Sequence, residues 1–370
     1  MLYYLLDWIN DLYDLPGFGV FQYLTFRAIL SIIFSLIISL LIGRKIIDLL
    51  RKNLIGEVVR DNAVGPDHAS KAGTPTMGGL IIIAAVVIPT LLWGDIKNGY
   101  VWLILLGTIW MGTIGFVDDY IKVFKKDKAG LKGKFKIVGQ VTLGLIVALT
   151  MLFHPDYKSF IYITDFPFFK DYVFDYSKVF LLIVIFIITA VSNGVNLTDG
   201  IDGLAAGTTA IVGAALGVFA YLSGNYVFSD YLNISYIPLS AELIVYAGAM
   251  VGGCLGFLWY NGYPAQVFMG DTGSLALGGA VGILALMVKK ELLIPIFCGV
   301  FLAETLSVML QVSYFKYTKK KYGEGKRIFL MAPLHHHYEK KGLHEAKITN
   351  RFFIVAILMV LVAFATLKLR

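Results

Sequence analysis

The chain has 370 residues, of which 58% are hydrophobic and only 15% are charged, with a formal net charge of +7. A soluble fold of this composition would leave large apolar surfaces in water, whereas a bilayer accepts runs of about 20 apolar residues as helices. The composition therefore excludes an ordinary soluble protein and predicts a polytopic membrane protein. The positive charge needs no nucleic acid, since no DNA- or RNA-binding motif accompanies it.

Ten apolar runs bounded by polar residues predict an all-α integral membrane protein with about ten transmembrane helices. The fifth run is short, so we expect its ends to lie inside the protein rather than in lipid. No linker or repeat interrupts the sequence, which predicts a single domain over residues 1–370. In chain order the runs cover residues 22–43, 77–93, 100–117, 135–153, 179–191, 203–222, 241–258, 273–288, 292–315 and 351–368.

The basic residues are unevenly distributed among the segments between these runs. Most of the 32 Lys and Arg fall in residues 44–76, 118–136 and 314–351, which ten spans place on one side of the membrane. Positive residues mark the cytoplasmic side, so both termini are predicted to lie outside. The outer segment near 154–178 is compatible with a short β-hairpin.

The first polar motif on the predicted cytoplasmic side is Lys71–Gly79, at the start of the second span. It lacks the Gly-Lys-Ser/Thr ending of a nucleotide P-loop. Lys71 and Thr76 still offer a cation and a hydroxyl to an anionic substrate. The lysines from Lys122 to Lys136 fit mainly orientation signals and lipid headgroup contacts, with one or two available to hold phosphates.

Asp118 and Asp119 close the third predicted span. Acids at a helix C-terminus oppose the helix dipole, at a cost of roughly 0.3–1 kcal/mol each when exposed. They are either a solvated helix end neutralised by Lys122 or a general base or metal ligand in a polar cavity. We favour the second interpretation because ionisable groups near membrane depth are usually functional. Successive helical residues point about 100° apart, so we expect only one acid to reach the cavity.

Asn193, Asn196, Asp199 and Asp202 recur at every third residue after the fifth predicted span. Turn chemistry explains part of this loop, and Asp202 could cap the sixth span. Four amide or carboxylate groups without a basic partner also suit hydrogen bonds to sugar hydroxyls or to a base. The glycines between them allow a ligand to approach the backbone closely.

Phe268 and Asp271 lie just before the eighth predicted span, in a segment that contains Gly270 and Gly273. Asp271 is either a helix N-cap or a carboxylate that holds Mg²⁺ against a phosphate bound at the helix N-terminus. Phe268 is either a stacking surface for a flat ring or a membrane-interface aromatic.

Three consecutive histidines, His335–His337, lie in the last predicted cytoplasmic segment. No Cys or closely spaced carboxylate completes a zinc site. Proton chemistry near neutral pH or hydrogen bonding to phosphate suits imidazoles better. Glu304 and Gln311 are polar residues in an otherwise apolar span, where they extend this surface or bond between helices.

Together these motifs resemble those of the polyprenyl-phosphate N-acetylhexosamine-1-phosphate transferase superfamily, over essentially the whole chain. The block Pro333–Glu339 is similar to that of its bacterial phospho-N-acetylmuramoyl-pentapeptide transferase branch, the lipid I synthases. The resemblance implies transfer of phospho-MurNAc-pentapeptide from UDP-MurNAc-pentapeptide to undecaprenyl phosphate in peptidoglycan synthesis, giving lipid I and UMP. It further implies Mg²⁺ as cofactor, a multi-pass location in the bacterial cytoplasmic membrane and contact with membrane lipid, and it leaves a homodimer open.

The resemblance also implies roles for individual residues. It makes Asp118, Asp119, Asp271 and His336 catalytic, with Asp271 as the metal ligand. The residues that it implies in substrate binding are Lys71, Thr76, Lys122, Lys134, Asn193, Asn196, Leu197, Asp199, Gly200, Asp202, Asn261, Phe268, Gln311, His335 and His337.

Three alternatives stay open from the sequence. A sibling transferase that uses UDP-GlcNAc is the nearest one, although the triple histidine argues against it. A transporter or lipid flippase would also use polar residues near membrane depth, but it predicts mid-span charges and inverted repeats, which are not evident. Within the transferase interpretation, a one-step attack by the lipid phosphate with Asp118 as base competes with a two-step route through a phosphorylated Asp.

Overall fold

The structure is a computed structural model that describes residues 1–53, 73–127, 129–157, 161–166, 169 and 173–368. These residues are almost entirely helical, as the composition predicts. A single pair of antiparallel three-residue strands, β1 (Ile163–Asp165) and β2 (Val173–Asp175), is present in the described residues. It confirms the hairpin predicted for the segment 154–178.

The helices of the described residues follow in chain order and are numbered α1 to α14. Every predicted apolar run corresponds to a helix in this series. The bounds are α1 Leu2–Tyr13, α2 Leu24–Asn53, α3 Gly79–Trp93, α4 Gly99–Phe124, α5 Gly133–Phe153, α6 Phe180–Thr198, α7 Leu204–Ser223, α8 Tyr226–Leu232, α9 Leu243–Asn261, α10 Gly270–Met287, α11 Ile294–Phe297, α12 Gly299–Tyr322, α13 Leu334–Lys340 and α14 Glu345–Ala365.

When the helices of the described residues are judged by length and apolarity alone, fewer than ten qualify as membrane spans. Eight helices of the described residues qualify, and a bent pair that ends in α12 raises the count to nine. The ninth predicted run is therefore not one straight helix, because α11 and α12 meet at a bend of 80°. Helix α3 has 15 residues, or about 22 Å, which is less than the roughly 30 Å of a bilayer core. The protein is a multi-pass membrane protein, while ten spans and the sidedness stay predictions.

Helix α10 is the most deeply buried of the candidate spans and packs against α3, α4, α6 and α7. Its small residues allow this close packing. A Cβ at Gly279 would lie 2.7 Å from Met111 Cγ on α4, and one at Gly278 would lie 2.7 Å from Ser192 Cα on α6. Helix α10 is thus the axis around which the helices that carry the polar motifs are arranged.

Helices α4 and α6 extend beyond the apolar runs that predicted them. Helix α4 continues to Phe124, so Asp118 and Asp119 lie within the helix rather than at its end. Helix α6 continues to Thr198, so the prediction of a short fifth span is wrong, and Asn193 and Asn196 are helical. The side chains of Asp118, Asn193 and Asn196 bond to other helices instead of facing lipid. A hydropathy pattern does not detect such contacts.

The end of the molecule opposite the polar motifs is stabilised by two buried ion pairs. Arg27 on α2 pairs with Glu242 just before α9. Lys289 lies 3.0 Å from Glu291 and donates a hydrogen bond to the Ile161 carbonyl at 3.0 Å. The second pair therefore attaches the β-hairpin to the connection that follows α10. Cys254 and Cys298 are both free and buried.

Candidate active site

Three carboxylates from two helices converge at one end of α10. Asp118 and Asp119 are buried on α4, and Asp271 is half-buried in the first turn of α10. Each offers an oxygen, and these oxygens lie within 4.8 Å of one another. The expectation that only one of the two acids of α4 reaches the site is therefore wrong.

Two close backbone contacts produce this convergence. A Cβ at Gly115 would lie 2.1 Å from the Asp271 carbonyl oxygen, so α4 lies directly against the first turn of α10. Gly270 has a φ of +71°, and a Cβ there would lie 2.5 Å from Asp119 Oδ2. Only glycine fits such contacts without displacing a neighbour.

Asp119 caps α10 from the neighbouring helix. Its carboxylate accepts hydrogen bonds from the Asp271 N–H at 3.2 Å, the Thr272 N–H at 2.9 Å and the Thr272 hydroxyl at 2.6 Å. These bonds satisfy N–H groups that have no partner within the helix. The residue at the N-cap position is Met269. The interpretation of Asp271 as a simple helix cap is therefore wrong, and its carboxylate is free for other contacts.

Two lysines neutralise the remaining carboxylates. Lys122 Nζ lies 2.5 Å from Asp118 Oδ2 and 3.6 Å from Asp271 Oδ1. Lys136 Nζ lies 2.9 Å from Asp118 Oδ1 and also pairs with Asp271 Oδ2. The Leu131 N–H donates to Asp118 Oδ1 at 2.8 Å. Positive charge therefore borders both Asp118 and Asp271.

Lys136 is the site residue that sequence reasoning missed. The resemblance implied Lys134 instead, which is exposed and has its Nζ 5.3 Å from the Phe135 ring centroid. Residues two positions apart on a helix point roughly 200° apart, so only one of these two lysines can face the carboxylates. The sequence shows that Lys134 and Lys136 lie two positions apart. It does not show how α5 is rotated about its axis, which places Lys136 next to the carboxylates.

The carboxylates fit a hard divalent cation. Mg²⁺ prefers oxygen ligands at about 2.0–2.1 Å, so two oxygens on one ion are at most about 4.2 Å apart. The three oxygens lie within 4.8 Å of one another, so a bound ion would have to draw the most distant pair together by up to about 0.6 Å. Because Asp119 already accepts three hydrogen bonds from the start of α10, Asp118 and Asp271 are the better placed ligands. Asp118 and Asp271 also pair with the ammonium groups of Lys122 and Lys136, so both carboxylates are bordered by positive charge.

Helix α6 presents its amides to this cluster. Asn196 donates to Asp271 Oδ1 at 3.1 Å and to Ser274 Oγ at 2.8 Å. Asn193 donates to Gln140 Oε1 on α5 at 2.9 Å. Thr76 approaches from the segment before α3, since a Cβ at Gly270 would lie 2.8 Å from its Oγ1. Of the four polar residues that recur at every third position, Asn193 and Asn196 thus lie on helix α6, and Asp199 and Asp202 follow it.

The connection between α6 and α7 adjoins the cluster and contains Asp199, Gly200 and Asp202. Asp202 is buried, and its Oδ2 accepts a hydrogen bond from the Ala265 N–H at 2.9 Å. Asn261 accepts from the Gly203 N–H at 3.0 Å and donates to the Val267 carbonyl at 2.9 Å. Asp202 and Asn261 therefore join this turn to the segment that carries the half-buried Phe268.

The three histidines lie on the short helix α13 and face different surroundings. His335 is buried, and burial lowers its pKa below the ordinary value against the opposing effect of Glu304. His336 Nδ1 lies 2.5 Å from Glu339 Oε2. His337 accepts a hydrogen bond from the Leu330 N–H at 3.1 Å, and desolvation lowers its pKa as well. The triplet therefore does not act as one group.

The structure brings most of the predicted residues together. Gln311 accepts hydrogen bonds from the Ile328 and Phe329 N–H groups at 3.0 Å each, so it holds the segment before α13. Lys134 points away from the cluster, and Lys71 lies outside the described residues. Leu197 is half-buried on α6. Contact of any of these residues with substrate stays a prediction.

Comparisons with known proteins agree with the motifs. Residues 101–289 match the pattern of Glycosyl transferase family 4, and residues 71–83 match Phospho-N-acetylmuramoyl-pentapeptide-transferase signature 1. The chain is 55% identical over 410 residues to the phospho-N-acetylmuramoyl-pentapeptide-transferase of Flavobacterium psychrophilum and 56% identical over 371 residues to that of Chlorobium phaeobacteroides. It is 54% identical over 370 residues to that of Chlorobaculum tepidum. All three alignments cover 100% of both chains.

Proposed function

The chain belongs to the phospho-N-acetylmuramoyl-pentapeptide transferase family, and we propose on this premise that it makes lipid I. The donor is UDP-MurNAc-pentapeptide, the acceptor is undecaprenyl phosphate and the second product is UMP. The observation that carries the proposal is the cluster of Asp118 and Asp271 with Lys122 and Lys136, at one end of α10 in a multi-pass membrane protein. We place this end at the cytoplasmic face of the bacterial cytoplasmic membrane and treat residues 1–370 as one domain.

The reaction exchanges one phosphoanhydride bond for another. An oxygen of the lipid phosphate attacks the β-phosphorus of the donor, and the bond from that phosphorus to the bridging oxygen breaks. UMP leaves with the bridging oxygen. Negative charge develops on the transferring and leaving oxygens, so the site must supply positive charge. Lys122 and Lys136 supply it from the protein.

Asp271 is the residue that we propose to hold Mg²⁺, with Asp118 beside it. When bound, the ion stabilises charge on the phosphoryl oxygens. Asp119 has a structural role, since its bonds to Asp271 and Thr272 fix the first turn of α10. It therefore orients Asp271 rather than reacting.

We propose the one-step route for the transfer. Asp118 accepts a hydrogen bond from the Leu131 N–H and pairs with both lysines. A carboxylate so engaged is a weak nucleophile, which disfavours a phosphorylated Asp118. It can still take a proton from the lipid phosphate when one of these contacts opens.

The donor would span two neighbouring regions. The turn of Asp199, Gly200 and Asp202, together with Asn261 and Phe268, offers amides, carboxylates and a ring face to the nucleoside. Asn193, Asn196 and Thr76 adjoin the pyrophosphate position next to Asp271. Helix α13, with His336 in its first turn, would cover the sugar and peptide.

Two alternatives are less well supported. A transporter needs charged groups in mid-membrane, whereas the acids of this cluster gather at one end of the helix bundle. A transferase for UDP-GlcNAc would use the same cluster, but the matched signature and the relatives carry the muramoyl-pentapeptide name.

The test is UMP release by the purified protein with undecaprenyl phosphate, Mg²⁺ and each UDP-sugar in turn. We expect release with UDP-MurNAc-pentapeptide and none with UDP-GlcNAc. A reaction without undecaprenyl phosphate measures hydrolysis of the donor as the control. Release with neither sugar would contradict a transferase function.

A further inference from the structure

Glu304 is a fully buried acid near the start of α12 for which the proposed reaction has no role. Its Oε2 accepts a hydrogen bond from the Leu334 N–H at 2.6 Å, and its Oε1 lies 3.3 Å from His335 Nδ1. Both side chains have an exposure of 0%. An unpaired buried carboxylate is costly, so these two contacts attach the first turn of α13 firmly to α12.

His335 extends this attachment to the turn between α6 and α7. A Cβ at Gly200 would lie 2.1 Å from His335 Nε2, so the ring fits only because residue 200 is glycine. If Nδ1 carries the proton that faces Glu304, Nε2 has none and is an acceptor. Nδ1 and Nε2 are both buried, and neither has a hydrogen-bond partner in the described part of the chain, so Nδ1 meets Glu304 Oε1 as a close ionic contact rather than a hydrogen bond. A carboxylate 3.3 Å from Nδ1 favours the tautomer that carries its proton on that nitrogen.

His335 also contacts its neighbour on α13. The ring centroids of His335 and His336 are 4.2 Å apart. A change in the position of His335 must therefore move either His336 or the turn at Gly200.

We propose that Glu304 is a positioning residue, which acts through His335 to fix α13 against the turn of Asp199–Gly203. The inference rests on the proposed function, in which the turn holds the nucleoside and α13 reaches the sugar and peptide. A donor that spans both regions needs them at a fixed separation. A ligand that contacts the turn alone does not.

Glu304→Gln tests this positioning with little change in volume. The new amide keeps an oxygen for the Leu334 N–H, but its NH₂ group then faces His335 Nδ1 and favours the other tautomer. We expect kcat/KM for UDP-MurNAc-pentapeptide to fall roughly tenfold or more, as for other residues that orient a functional histidine. The inhibition constant of UMP should change less than about threefold, because UMP lacks the sugar and peptide that reach α13. Glu324→Gln, which removes an exposed acid after the end of α12, is the matched control and should resemble the parent protein.

A double-mutant cycle identifies the route of the effect. If Glu304 acts through His335, Glu304→Gln should cost little further activity in a His335→Asn background. Fully additive losses would overturn the proposal, as would equal losses for the donor and UMP. Should Glu304→Gln not fold, His335→Asn alone must weaken donor turnover more than UMP binding, and the opposite result would also overturn it.

Hydrogen–deuterium exchange gives a readout that is independent of catalysis. In Glu304→Gln we expect faster exchange in both residues 199–203 and residues 334–340, with the rest of α12 unchanged. Faster exchange in only one of the two segments would contradict the coupling. If both segments exchange faster but the parent protein transfers neither sugar in the UMP-release assay, the coupling is upheld and the proposed function is refuted.

Discussion

Asp271 has its backbone in the capped first turn of α10 and its carboxylate between Lys122 and Lys136. If it holds Mg²⁺, Asp271→Asn should remove several kcal/mol of transition-state stabilisation, a loss on the order of 10²–10³-fold in kcat. The measurement is the initial rate of UMP release over a series of Mg²⁺ concentrations. The thermal unfolding temperature should change little, and near-normal activity in a folded variant would leave Asp271 without a metal-binding role.

Asp118 offers a second test at the residue scale. The second pKa of a lipid phosphate is about 6–7 by analogy with phosphomonoesters, so a base matters mainly at low pH. We expect the activity of Asp118→Asn, measured as UMP release, to recover partly as pH rises from 6 to 9. A loss that is independent of pH would favour a structural or nucleophilic role and would revive the two-step route.

His335 should make stability depend on pH. Burial holds its pKa below the ordinary value in the folded protein, so the unfolded chain binds more protons near pH 6. Stability therefore rises with pH, and the contribution is lost as pH falls below about 6.5. We expect acidification from pH 7.5 to 5.5 to lower the unfolding temperature of the parent protein more than that of His335→Gln. An equal fall in both would show that other groups dominate acid destabilisation.

At the scale of elements, α13 is the part that distinguishes donors. His336 lies in its first turn and pairs with Glu339 on the same helix. We expect His336→Ala to weaken transfer from UDP-MurNAc-pentapeptide at least tenfold while uridine binding changes little, since only the donor spans α13 and the nucleoside turn. Enzyme kinetics measure the loss in donor transfer, and calorimetry measures the change in uridine binding. Equal losses would mean that the histidines support the whole site, and the specificity argument would fail.

The helix boundaries show which features were predictable at this scale. Each of the ten apolar runs overlaps a helix, because hydropathy depends only on local sequence, although only eight or nine spans of the described residues qualify as membrane crossings. The ends of α4 and α6 were placed too early, because Asp118, Asn193 and Asn196 are polar residues that bond to other helices. The bend between α11 and α12 was also not predicted.

At the scale of the whole molecule, the distribution of Lys and Arg predicts which end faces the cytoplasm. The two free cysteines are buried, so introduced cysteines can report exposure with little background. We expect a membrane-impermeant maleimide to label Val227→Cys on α8 in spheroplasts, and to label Lys320→Cys on α12 only after the membrane is opened. Both positions are exposed. The reverse pattern would invert the topology and place the carboxylate cluster outside.

By itself, the sequence determined the membrane class, the location of the helices and the five motifs, because each of these is local in the chain. It also determined the family, since short motifs in a fixed order are readable without coordinates. Only the tertiary structure decided which side chains meet. Lys136 rather than Lys134 faces Asp118, Asp119 caps α10 from α4, and His335 is buried against Gly200. These outcomes depend on how each helix is rotated about its axis, which the close packing of small residues around α10 sets and no local pattern records.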